Sequence, residues 1–98
     1  MPKQKGAPIL VANWKMNGNL QSINRLLCAL KRDFLDKEIE SGQVIILPPH
    51  VYLQTVAKDL SGTSILIGAQ DADERETGPV TGGVSAKMLL DVGCEYLL

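Results

Sequence analysis

Asn13 and Lys15 are the residues of this chain whose types and spacing most directly offer chemistry. They close the apolar run Ile9-Leu10-Val11-Ala12, within the segment Asn13-Trp14-Lys15-Met16-Asn17-Gly18. Side chains alternate along a strand. A strand running through Lys15 therefore puts the Asn13 amide and the Lys15 ammonium on one face, with Ala12 and Trp14 on the other. An ammonium at the end of a buried strand must be paired or solvated. A strand end that opens onto an anion meets that need, with the lysine supplying charge and the asparagine directed N–H donors. A solvated strand end, where the core simply stops, uses the same residues, and local pattern leaves both readings open. Trp14 reads as packing, its face turned toward the helices.

Gln70 stands in the same relation to a second apolar run, Ser64-Ile65-Leu66-Ile67-Gly68-Ala69, and is the next candidate for an anion. The segment from Asp71 to Gly83 follows it and is longer than the usual connection in an α/β unit, which points to a binding or interface loop. Its Thr77-Gly78-Pro79-Val80-Thr81-Gly82-Gly83 stretch matches neither G-x-x-x-x-G-K-[ST] nor G-x-G-x-x-G, so it reads as a structured loop. Asp71, Asp73, Glu74 and Glu76 lack the order of a calcium loop and are interrupted by Arg75, so they read as solvated surface. His50 is the single histidine, without a nearby ligand set, and reads as a loop residue. Cys28 and Cys94 form no CxxC pair and read as reduced, buried, structural thiols.

The elements that must position these residues follow from periodicity. The first strand spans roughly residues 9–15. Asn17-Gly18-Asn19 signals a turn, with Asn19 as a helix N-cap. Leu20, Ile23, Leu27, Leu30 and Phe34 then mark one face of an amphipathic helix, with Arg25, Lys31, Arg32, Asp36 and Glu38 on its polar sides. Ser41-Gly42 ends that unit. Val44-Ile45-Ile46-Leu47 reads as a strand buried on both faces, stopped by Pro48-Pro49. Leu53, Val56, Ala57 and Leu60 give a second helical face, ended by Ser61-Gly62. After the third strand and the long loop, Ser85 caps a short helix holding Met88, Leu89 and Val92, with Gly93 as its stop. Glu95-Tyr96-Leu97-Leu98 begins a fourth strand. Repeated strand–helix units predict a parallel sheet with helices outside, and functional residues at the carboxyl ends of its strands.

The chain has 98 residues, 45% of them apolar, with ten basic and eleven acidic residues and a net charge of −1. That is enough apolar content for a core. The charge balance argues against nucleic acid as a partner. No apolar run approaches the roughly 18–20 residues of a membrane span, and the basic N-terminus is not followed by a signal-peptide pattern. An apolar ending on Tyr96-Leu97-Leu98, with no turn or polar cap, is expected of a chain cut inside an element of a longer parent. On that expectation residues 1–98 form a single incomplete domain.

Taken together, these segments resemble the triosephosphate isomerase family. The likeness is carried by Ala12-Asn13-Trp14-Lys15-Met16-Asn17-Gly18, Pro48-Pro49, Tyr52-Leu53, Gly68-Ala69-Gln70, Thr81-Gly82, Val84-Ser85-Ala86-Lys87-Met88-Leu89 and Gly93-Cys94-Glu95-Tyr96, in order from Pro8 to Leu98. The resemblance implies the N-terminal portion of a (β/α)8 TIM barrel, three βα units and the start of strand four, a fold of about 250 residues when whole. It implies interconversion of dihydroxyacetone phosphate and glyceraldehyde 3-phosphate in the cytoplasm, in glycolysis and gluconeogenesis, without a cofactor. It makes Lys15 the active-site lysine, catalytic and substrate-binding, and Asn13 the substrate-binding amide that positions it. It places Thr81 and Gly82 at a homodimer interface of the full-length parent. The family's catalytic histidine and glutamate map beyond Leu98, so the 98 residues are expected to be inactive alone. Gly83 stands where the family usually has glutamate, and Pro79-Val80 replace its common Ala-Phe. A self-contained α/β module that binds an anion at Lys15 and Gln70 is the competing expectation.

Overall fold

The computed structural model describes residues 8–34 and 43–98. The expectations placed on residues 1–6, on Asp36 and Glu38, on the Ser41-Gly42 stop and on the Phe34 side chain lie outside the described residues.

The element order is β1 (Ile9–Asn13), α1 (Leu20–Phe34), β2 (Gln43–Leu47), a 3-10 turn (His50–Tyr52) running into α2 (Leu53–Asp59), β3 (Leu66–Ala69), α3 (Ala86–Asp91) and β4 (Tyr96–Leu97). All strand pairs are parallel, and the sheet order follows the chain, β1-β2-β3-β4. A doubly wound sheet reverses its strand order at a switch point. Each strand here pairs with its successor, which is the arrangement that coils toward a barrel. Register levels the carboxyl ends, pairing Asn13 with Leu47 and Ile46 with Ile67.

The core lies between one face of the sheet and the helices. Ile46, Ile65, Ile67 and Ala69 meet Ile23, Leu27, Leu53, Val56, Leu60 and Leu89, with Ala12, Trp14 and Val44 packed at the margin. Full burial of a side chain such as Leu27 contributes about 1.5–3 kcal/mol. Trp14 is thus on the helix side, as its alternation predicts.

Helix starts follow from capping chemistry. Asn19 Oδ1 accepts from Ser22 N at 2.9 Å, and Ser22 Oγ accepts in return from Asn19 N at 3.2 Å. This reciprocal pair satisfies two amide donors at the start of α1. Ser85 Oγ accepts from Met88 N at 3.1 Å and caps α3. Gly93 follows α3 with φ of +106°, and a Cβ there would stand 3.0 Å from Ala57 Cβ, so both conformation and space call for glycine. At Gly68 the reason is close approach alone: a Cβ would collide with Leu47 Cδ2 and stand 3.2 Å from Tyr96 Cβ and O.

Several expectations need correction. β1 is exposed at Ile9, Leu10 and Val11, because it is paired on one side only among the described residues, whereas β2 is flanked on both sides and buried at Ile45, Ile46 and Leu47. Leu20 is exposed, and α1 docks from Ile23 onward. Met88 is exposed while Leu89 is buried, since neighbours on a helix point about 100° apart and a short helix buries one row. Cys28 is exposed for the same reason, next to the wholly buried Leu27, and Cys94 is buried; both are free thiols.

Candidate active site

β1 stops at Asn13, two residues earlier than its pattern predicts, and the backbone then turns. Trp14 N still donates to Leu47 O at 3.1 Å, adding one last rung. Lys15 adopts φ of +55°, the one positive φ of a non-glycine residue among the described residues. The left-handed conformation costs a side-chain-bearing residue roughly 1–2 kcal/mol, and such positions cluster where function over-determines the backbone. The pleat therefore does not set the placement of Lys15, and its shared face with Asn13 is replaced by a turn.

Three side chains hold that turn. Asn13 Oδ1 accepts from Lys15 N at 2.9 Å, an Asx-type contact across two residues. Asn17 Nδ2 donates to Trp14 O at 2.8 Å. Gln70, just past β3, donates through Nε2 to Lys15 O at 2.9 Å and to Leu47 O at 2.8 Å. A primary amide has two N–H groups, and both are used. The Gln70 side chain therefore keeps no free donor for an anion, which corrects its candidacy as a ligand and makes it an anchor. Because Asn13 is held through Oδ1, its Nδ2 group faces no partner among the described hydrogen bonds, and the Lys15 side chain is exposed. Sequence spacing shows Gln70 as a polar strand end; its partners are backbone carbonyls, which no residue pattern marks.

Thr81 and Gly82 lie exposed in the long loop, with Gly82 at φ of +84°. Among the described residues no hydrogen bond joins either to Asn13, Lys15 or Gln70. The loop is tied down at its start, where His50 Nε2–H donates to Asp71 O at 2.8 Å. A carbonyl only accepts, so Nε2 is the protonated nitrogen. His50 opens the 3-10 turn, in line with its reading as a connecting residue.

Asp71, Glu74 and Glu76 are exposed, in line with their reading as solvated surface, and Asp73 is the one that departs from it. Asp73 accepts from Arg75 N at 2.8 Å, Nε at 2.9 Å and Nη2 at 2.9 Å. The Arg75 side chain and then its amide lower the Asp73 pKa to about 2, and the same pairing raises that of Arg75. The D-x-R spacing was the available signal, though it is too common to carry that inference alone. Burial raises the pKa of the Cys94 thiol. Among the described residues no group of His, Cys, Asp and Glu is placed to hold a metal ion, and no helix is long and apolar enough to cross a membrane.

The arrangement thus offers a solvent-facing ammonium and a free amide N–H group on a backbone fixed by three strand ends. That is suited to drawing in an anion and stabilising negative charge that develops on it. A family model described as triosephosphate isomerase matches residues 8–98. The chain is similar to the triosephosphate isomerase of Erwinia tasmaniensis, 37% identical over 91 residues that cover 93% of this chain and 35% of that protein. It is 43% identical to the one from Buchnera aphidicola subsp. Baizongia pistaciae, over 92% of this chain and 36% of the relative. For the one from Coxiella burnetii the identity is 42%, over 93% and 35%. The chain spans about a third of the length of these relatives.

Proposed function

Since this chain belongs to the triosephosphate isomerase family, we propose that it supplies the lysine and asparagine of a site that interconverts dihydroxyacetone phosphate and glyceraldehyde 3-phosphate. The observation that carries this reading is the strained Lys15 backbone, held by Asn13 and Gln70 at the carboxyl ends of three adjacent strands. In this role the Lys15 ammonium attracts the phosphate and stabilises the oxyanion of the enediolate as a proton leaves carbon. The Asn13 Nδ2 group donates to the substrate while Oδ1 keeps the Lys15 amide in place.

The proton itself must be moved by groups other than these. In the family a glutamate base and a neutral histidine electrophile do this. By the resemblance both map beyond Leu98, and the 98 residues by themselves are proposed to be inactive. The same reading places the enzyme in the cytoplasm, in glycolysis and gluconeogenesis, without a cofactor. It makes Thr81 and Gly82 contacts to a second copy of the full-length protein, with nucleic acid and membrane playing no part.

The test is steady-state kinetics on a full-length protein that carries these residues. Lys15→Ala is expected to lower kcat by at least about 10²–10³-fold, the scale of losing one charge-stabilising donor, with an unchanged circular dichroism spectrum. Near-normal turnover would remove Lys15 from the mechanism. Isomerase activity from the 98-residue chain alone would overturn its proposed inactivity.

A further inference from the structure

Asp73 stands at the neck of the long loop, and its carboxylate is spent within it. Oδ1 accepts from the Arg75 amide and from Nε, and Oδ2 from Nη2. The Asp73 side chain is 20% exposed and that of Arg75 57%, so the acid lies inward and the base covers it. The backbone of Asp73 is fastened as well. Its N–H donates to Val84 O at 2.7 Å, and it forms a parallel bridge with Ser85, the cap of α3. Gly83 N donates to Val80 O at 3.0 Å on the returning side. The outgoing and returning arms are therefore joined at residues 73 and 83–85, and the tip, residues 74–82, is exposed except at Val80.

Position 83 faces the same carboxylate. A Cβ on Gly83 would stand 3.5 Å from Asp73 Oδ2 and 3.2 Å from both Val80 Cγ1 and Val80 O. A Cβ here would be in ordinary contact with the carboxylate and crowd Val80, and an acidic side chain would bring a second negative charge near Asp73. The glycine thus lies directly beside the ion pair.

We propose that Asp73, Arg75 and Gly83 form a clasp that sets the shape of the loop within a single protomer, so that Thr81 and Gly82 are presented in a fixed turn before any partner arrives. Ordering a loop on contact opposes association, and a loop ordered in advance avoids that cost. What the loop meets rests on the interface reading above; how it is held does not.

Amide hydrogen exchange on the 98-residue chain tests the clasp. The amides of Asp73, Arg75 and Gly83 are expected to exchange at least about tenfold slower than unprotected peptide, as hydrogen-bonded amides do. Arg75→Gln and Gly83→Glu are each expected to abolish that protection while the amides of Leu89 and Cys94 keep theirs. Unprotected loop amides in the unaltered chain, or full protection retained in both variants, would overturn the proposal. A variant that also loses Leu89 and Cys94 protection has unfolded. The decision then passes to Arg75→Lys, which keeps the charge without the forked geometry: faster loop exchange supports the clasp, and unchanged exchange refutes it. Failure of the isomerase reading would appear in turnover and leave these rates untouched.

Discussion

Gln70 Nε2 donates to the carbonyl of Lys15 at 2.9 Å across 55 positions of sequence. The same nitrogen donates to Leu47 O at 2.8 Å. One amide just past β3 therefore secures the exit of β1 and the end of β2. Leu47 O also accepts from Trp14 N, so the two lone pairs of that carbonyl are filled from both neighbouring strands. The left-handed backbone of Lys15 is the part of this knot that local preference opposes, and Gln70 holds it from outside its own segment.

Removing that anchor has a stability cost separable from chemistry. Gln70→Ala loses two hydrogen bonds to carbonyls, each contributing about 0.5–1.5 kcal/mol, so urea unfolding of the chain is expected to show a loss of about 1–3 kcal/mol. Gln70→Glu keeps the shape but, ionised, offers acceptors where donors are needed, and is expected to be at least as destabilising. A midpoint that does not move in either variant would show that the knot forms without Gln70.

Gly68→Ala tests the close approach of β2, β3 and β4. The added methyl collides with Leu47 Cδ2 and crowds the Tyr96 backbone carbonyl, and Leu47 is itself fully buried with little room to move. Overpacking of this kind costs about 1–3 kcal/mol. Thermal melts compared with the unaltered chain measure it, and an unchanged Tm would mean that Leu47 and Tyr96 relax freely.

The Asp73–Arg75 pair makes a pH prediction with a definite sign. The carboxyl of Asp73 is lowered from 3.8 to about 2 in the folded chain. Its contribution to stability is therefore fully present above the unfolded value and is lost as pH falls from about 4 through 2. Carbon-13 NMR of the side-chain carboxyl reads the titration directly. Arg75→Gln is expected to return it toward the ordinary carboxylate range; a midpoint near 4 in the unaltered chain would contradict the clasp geometry.

The two thiols are expected to separate cleanly under a thiol-labelling reagent. Cys28 is exposed and is expected to react in the folded chain. Cys94 is buried, and its raised pKa keeps the reactive thiolate scarce, so it is expected to react only on unfolding. Two equivalents labelled at equal rates under native conditions would place Cys94 outside the core.

Much of the framework is legible in the chain because its causes are local. Ile23 and Leu27 on one helical row, the caps at Asn19 and Ser85, the Pro48-Pro49 stop and the glycine after α3 each depend on neighbours within a turn or two. The strand positions and their parallel order followed from the alternation of apolar runs with helical faces. Local rules failed where two adjacent residues competed for one buried direction: Cys28 beside Leu27 and Met88 beside Leu89. Composition alone does not say which of such a pair turns inward.

Sequence by itself determined that Asn13, Lys15 and Gln70 belong at strand carboxyl ends, because hydrophobic periodicity ends there. Only the tertiary structure decided how each is held. Lys15 leaves the strand for a left-handed turn because carbonyls at residues 15 and 47 find a common donor in Gln70. Asp73 is turned inward under Arg75, with Gly83 beside it on the returning arm of the loop. Such partnerships are set by which backbone groups meet across strands and loop arms, and those meetings exist only once the sheet has assembled.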